Sequence, residues 1–155
     1  MPNILVKIPE GVFDGTGRKR LAAGITAAAK RVEQIGDDPR HLFLIWVVIE
    51  EIKSGSLYAG GDDPLARVIP VIVLFCPPSG VIDHDGRAEV VRLIHEAVAA
   101  AKPEGDPRPV ATSVIVAEIE DGTWGANGAL RRLPDIARAA GYKHLQHLIK
   151  PAVAD

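Results

Sequence analysis

At 155 residues the chain has the length of one domain and can bury a core without disulfides or metals to hold it together. A composition of 47% hydrophobic and 25% charged residues reads as an ordinary globular protein, and a net charge of −2 argues against nucleic-acid binding. One cysteine, Cys76, excludes an internal disulfide; with no basic leader segment and no apolar run of membrane-spanning length, a cytoplasmic protein without a membrane partner is expected.

The chain begins MPNILVKIPEG. Residues 3–8 are short and rich in Ile, Val and Leu, which predicts a strand buried on both faces. Leu21, Ile25, Ala28, Val32 and Ile35 then step by three or four residues and predict a helix with one apolar stripe. Gly36 is expected to end that helix, and the GDDPR loop follows. A second β-branched strand is expected at about residues 43–52, leading into the glycine-rich turn GSLYAGG.

The same order then returns. PVIVLFC (70–76) is a second buried strand, and Val90, Ile94, Ala97 and Ala101 form a second helical stripe. A further strand is expected at about 110–119, before a turn containing TWGANG. Pro2 and Pro70, Asp14 and Asp83, and Trp46 and Ser113 are matched landmarks lying 68, 69 and 67 residues apart, so the chain reads as an internal duplication. Residues 1–155 are expected to form a single domain of two pseudo-repeats, 2–61 and 70–128. A tail, 129–155, has Leu130, Leu133, Ile136 and Ala140 at helical spacing. One or two short helices are expected there, docking on the chain or across a subunit interface.

A helix joining two strands of one sheet implies a right-handed crossover between parallel strands. Two such units predict an α/β (α+β) fold with a four-stranded sheet and both helices on one face. The other face also carries Val, Ile and Leu, which predicts that copies of the chain cover it.

Chemistry centres on Pro2. Aminopeptidases remove Met before a small residue such as proline, and removal here would expose a secondary amine. A free α-amino group has a reference pKa of about 7.7–8.0, lowered by an apolar pocket or nearby cations. Such an amine can act as general base and its conjugate acid as general acid; it can also form an imine with a carbonyl substrate. The plain structural alternative is a proline that opens an edge strand. Pro70 occupies the same place in the second copy, but its nitrogen is locked in a peptide bond, so one such site per chain is expected. Lys7, inside an apolar strand on the same face as Asn3 and Leu5, is a candidate for substrate or interface contact; otherwise its stem packs and its ammonium reaches solvent. Glu51 and Glu118 repeat and are expected to share a structural role. His144 and His147 are expected on a solvated helix face, and no histidines stand at metal-ligand spacing. Cys76 is expected to be buried and inert.

The N-terminal PNI, the two β-α-β units and the endings IEEI…GSLYAGG and VAEIEDGTWGANG resemble the tautomerase superfamily over residues 2–128. The likeness is to 4-oxalocrotonate tautomerase, here with two units fused as in the larger members. It implies a homotrimer acting on a small 2-oxo or enol acid without metal or other cofactor, with Pro2 as catalytic base. The family's two substrate-binding arginines fall at Val12 and Trp46 in the first copy and at about Ser79 and Ser113 in the second, so neither cation is retained. Lys7, Arg40, Arg67 and Arg87 are candidate replacements. The family's pocket phenylalanine falls at Leu57 and Trp124, so Trp46, Tyr58 and Trp124 join Lys7 as expected substrate contacts. A decarboxylase or hydratase-type dehalogenase using protonated Pro2, and a catalytically inactive trimer retaining Met1, stay open as alternatives.

Overall fold

The computed structural model describes residues 2–149; Met1 and residues 150–155 lie outside the described residues. The chain runs β1 (Asn3–Pro9), α1 (Gly15–Val32), the short α2 (Pro39–Leu42), β2 (Trp46–Ile52), β3 (Ile69–Cys76), α3 (His84–Ala101) and β4 (Val110–Val116). A hairpin of β5 (Trp124–Ala126) and β6 (Ala129–Arg131) follows, then α4 (Leu133–Ala140) and a 3-10 turn at Lys143–Leu148.

The sheet order is β2-β1-β3-β4, with β1/β2 and β3/β4 parallel and β1/β3 antiparallel. Each duplicated unit thus contributes one parallel pair, and the two units meet through β1 and β3. Their ladder runs from the Asn3–Cys76 pair to the Lys7–Ile72 pair. Beyond it stand Pro2 and Pro77 at one end and Pro9 and Pro70 at the other. Prolines have no N–H to give, so the ladder stops at both ends. This arrangement makes the two units approximately two-fold related: the start of one lies beside the end of the other.

Ile4, Val6 and Ile8 of β1 and Val71, Val73 and Phe75 of β3 point to the helix side and are fully or almost fully buried. They meet Leu21 and Ile25 of α1 and Val90 and Ile94 of α3, as the helical stripes predict, with Val98 buried where Ala97 is expected. Gly24 allows α1 close to Ala97 of α3, where a Cβ would collide. The opposite face is open: Trp46 is 60% and Ile115 53% exposed, and Val48 and Ile72 are also exposed.

The repeated glycine-arginine turns explain the repeated glutamates. Asp14 and Asp83 cap α1 and α3 by accepting from the backbone N–H groups of Gly17 and Gly86. Arg18 of the same turn pairs with Glu51 at 2.9 Å, and Arg87 pairs with Glu118. The shared role is a tie between helix start and strand end.

Three boundaries differ from expectation. The second strands are shorter than expected: Phe43, Leu44 and Ile45 donate to the helical turn of α2 instead, and β4 ends at Val116. The hairpin also continues through Arg131, past the boundary placed at residue 128. Asn127 and Gly128 (φ 52° and 77°) form a tight two-residue turn, which requires a strand on both sides. Finally, α1 stops at Val32, and the left-handed residue is Gln34 (φ 51°) rather than Gly36. The carbonyl of Gln34 accepts from the tail's Lys143 N–H at 3.0 Å, which holds this unusual conformation in place.

The tail docks on its own chain at that point. Ile136, Ala137, Ala140 and Tyr142 are buried, and the Tyr142 hydroxyl donates to Glu33 Oε2 at 2.7 Å. Gly36 and Gly141 flank the ring of His41, and a Cβ on either would collide with it. His41 lies in α2 and packs against the tail. Gly141 also ends α4 in the left-handed conformation (φ 62°). Gly141→Ala is expected to cost about 1–2 kcal/mol from the backbone alone, with the ring collision adding to it. Urea unfolding measures this, and a His41→Ala background is expected to recover the collision part.

Candidate functional site

The two-fold relation of the units decides which predicted residues can meet. β2 ends at Ile52, beside Pro9 and the Pro70 end of β3, so the first copy's turn with Tyr58 lies at that end. β4 ends beside Phe75, next to Cys76 and the Asn3 end of β1, so the second copy's hairpin with Trp124 lies beside Pro2. Sequence adjacency points the other way, since Tyr58 belongs to the same copy as Pro2.

At the Pro2 end, Trp46 donates its backbone N–H to the Pro2 carbonyl at 3.2 Å, and Pro2 is buried. A groove of about 440 Å3 opens on the uncovered sheet face beside them. Asn3, Leu5, Trp46 and Val48 line it from β1 and β2, with Cys76 beneath and Trp124 on the far wall. A second hollow of about 270 Å3 continues it along the hairpin and shares Asn3, Trp46, Trp124 and Gly125. Both tryptophans thus wall one apolar recess, which Asn3, the residue after Pro2, also lines. The Trp46 indole is held in place by donating its Nε1–H to the Phe43 carbonyl at 3.2 Å.

Lys7 and Tyr58 stand apart from this recess. Lys7 follows Leu5 on the open face, and its ammonium is paired with Glu50 of β2 at 2.6 Å. About half of each side chain is exposed, so the pair contributes little to stability. Tyr58 is 64% exposed and donates its hydroxyl to the Gly55 carbonyl within its own turn. In a single chain it cannot reach Pro2.

The other candidate cations lie elsewhere. Arg67 is exposed in the turn before β3, at the Pro70 end of the sheet. Arg87 pairs with Glu118, and Arg40 with Asp38, whose carboxyl it holds well below the usual range. Neither lines the recess. Cys76 is half-buried rather than buried as expected and lines the groove, and what burial it has pushes its thiol up from its ordinary pKa. His144 departs from expectation: it is half-buried, with Nε2 2.8 Å from the Val81 carbonyl, so only His147 lies on an exposed face.

Sequence reasoning passed over Arg131. It lies in β6 directly across from Trp124, on the same face of the hairpin. It lines a third hollow of about 290 Å3, which shares Leu44, Ala126 and Asn127 with the second. The Asn127-Gly128 pair is a strong hairpin signal, and extending its return strand by three residues would have set Arg131 opposite Trp124. Among the described residues, no helix is long and apolar enough to cross a membrane.

By sequence, no protein-family model and no curated protein matches the chain. By structure it is similar to native fused 4-OT, with a TM-score of 0.66 and 19% identity, over 90% of this chain and 98% of that one. A wild-type fused 4-OT asymmetric trimer gives a TM-score of 0.66 and 17% identity over 83% of this chain and 94% of its own. N1, a member of the cis-3-chloroacrylic acid dehalogenase family, is 16% identical with a TM-score of 0.67, over 96% of this chain and 92% of its own. At these identities the likeness is one of fold: the chain has the fused two-unit fold of the tautomerase superfamily, with its four-stranded mixed sheet.

Proposed function

We propose that the chain is a tautomerase of a small 2-oxo or enol acid, with the amine of Pro2, exposed by loss of Met1, as general base and acid. The observation that carries this reading is that Pro2, buried at the head of β1, precedes Asn3 and accepts from the Trp46 N–H, and both of these residues line a recess walled by two tryptophans. A neutral secondary amine there takes a proton from the carbon beside the carbonyl. Its conjugate acid returns the proton to the carbonyl oxygen, giving the enol, and the reverse order gives the keto form. No redox change occurs and no metal is called for. Apolar walls favour the neutral amine over its charged form.

The working assembly in this proposal is a cytoplasmic homotrimer. The exposed Trp46, Val48, Ile72 and Ile115 supply an apolar face for subunit contact, and fused 4-OT chains of similar fold form trimers. Subunit contact would also offer a place for Tyr58 and Lys7, which in one chain stand away from Pro2.

A second reading has one specific support. The likeness to the cis-3-chloroacrylic acid dehalogenase family member extends over nearly the whole chain, tail included. In that reading Pro2 stays protonated and serves as the acid in a hydration or decarboxylation.

Two measurements test the proposal. Intact mass of the protein from its own cells is expected to lack Met1. A variant carrying a residue that cannot be removed before Pro2 turns the amine into an amide while leaving the fold intact. It is expected to lose enol–keto conversion of phenylenolpyruvate or 2-hydroxymuconate. Retention of Met1 throughout, or equal rates in the blocked and processed forms, would overturn the proposal.

A further inference from the structure

The two tryptophans make a recess that suits an apolar body, yet an enol or 2-oxo acid also brings a carboxylate. At Trp46, where the related fold carries an arginine, the charge is gone. The first two hollows contain no cationic side chain in their lining. Lys7 stands further along β1, outside that lining, and is paired with Glu50.

We propose that Arg131, from the return strand of the second hairpin, binds the substrate carboxylate at the end of the recess. The proposal rests on reading the recess as the tautomerase site. Three observations converge on Arg131. It faces the same side of the hairpin as Trp124, its direct cross-strand partner. It lines the hollow that continues the tryptophan recess past Asn127. It is half-buried and makes no ion pair with any described residue; its one bond is a long 3.5 Å donation to the Ala126 carbonyl.

Such a guanidinium has most of its donors free, in a fork that matches a carboxylate. The acidic group nearest in the same hollow, Asp135, is already engaged. It accepts from the Arg132 backbone N–H at 3.2 Å and faces Arg138 at 3.9 Å, both within the first turns of α4. One unpaired cation at one end of an apolar recess selects a molecule with one carboxylate and an apolar or aromatic body. A second carboxylate would have to sit against the tryptophans without a partner, which is costly. The chain therefore reaches its cation from a different element than the strand and loop positions where the fold's arginines are missing.

Binding is measured with an unreactive probe, 3-phenylpropionate, and with its neutral amide, by calorimetry or quenching of tryptophan fluorescence. The processed wild type is expected to bind the acid at least about 10-fold tighter than the amide, as a charge-assisted fork contact provides. Arg131→Gln is expected to erase that preference while binding of the amide stays within about 2-fold. Arg131→Lys is expected to keep part of it, since the charge survives but the fork does not. With phenylenolpyruvate, Arg131→Gln is expected to raise KM by about 10-fold to 100-fold with a much smaller change in kcat, the signature of uniform binding.

A merely structural Arg131 would weaken acid and amide alike. An Arg131→Gln chain that still prefers the acid, or a wild type without preference, overturns the proposal. Pro2→Ala separates the two readings. It leaves the acid preference in place if Arg131 is the anchor, even where the rate shows that Pro2 is not the base. Loss of rate in Pro2→Ala with an unchanged Arg131→Gln preference would sink Arg131 alone.

Discussion

Pro2→Ala is expected to lower kcat/KM for ketonisation of phenylenolpyruvate by about 10-fold to 1,000-fold, a large part of what a positioned acid–base group contributes. The loss is not total, because Met1 is also removed before alanine and a primary amine remains at the same position. Two changes drive the loss. The ring fixes the amine's direction, and alanine leaves the first residue free to rotate. The ring also fills space at the head of β1, where Pro2 is buried, and its removal admits water beside the amine. Blocking the nitrogen as an amide removes basicity altogether and is expected to be the more severe change. Circular dichroism of Pro2→Ala is expected to match wild type, since Pro2 contributes no N–H to the sheet, with stability lowered by about 1–2 kcal/mol for the lost ring. Rates equal within 2-fold would show that the amine is not the base.

Tyr142→Phe is expected to destabilise the fold by about 1–3 kcal/mol, the cost of losing a buried hydrogen bond to a carboxylate. Tyr142→Ala adds a cavity under the tail and is expected to cost about 3–5 kcal/mol in all. The tyrosine is fully buried, and its hydroxyl donates to Glu33, which is itself fully buried. This contact joins the end of α1 to the tail across 109 residues of sequence. The pH dependence has a definite sign. Burial and the adjacent Glu33 carboxylate push the Tyr142 phenol far above its ordinary value. In the unfolded chain the phenol ionises near pH 10, at about the reference value. The Tyr142 contribution is therefore complete below about pH 10 and falls above it, by up to ~1.4 kcal/mol per pH unit. Urea unfolding at pH 8, 10 and 11 is expected to show this loss in wild type and a flatter profile in Tyr142→Phe. Parallel profiles would show that Tyr142 does not set the alkaline limit.

Much of the architecture is legible in the order of residues, and for a definite reason. Helical stripes such as Leu21-Ile25-Ala28-Val32 and buried strands such as Val71-Val73-Phe75 are local patterns, and local patterns set element type. The duplication then supplied the second unit from the first and gave Glu51 and Glu118 a shared role, while their partners Arg18 and Arg87 came only from the structure. Legibility ended where spacing along the chain stopped matching distance in space. Tyr58 follows the same β-α-β unit as Pro2 and reads as its neighbour, but lies at the far end of the sheet. Arg131 reads as the start of a tail, but belongs to a hairpin. Gly36 reads as a helix stop, but is small because His41 packs against it.

Residue order alone thus determined that there are two β-α-β units, which faces of their elements are apolar, and that one proline can carry a free amine while its repeat, Pro70, cannot. Those properties need only periodicity and covalent chemistry. The antiparallel meeting of β1 and β3 was decided by the tertiary structure, and with it everything about which residues share a site. Reversing one unit against the other brings the second hairpin, with Trp124 and Arg131, to Pro2 and carries Tyr58 away. No local pattern records that choice, because it depends on how two sheet edges pair across more than sixty residues of intervening chain.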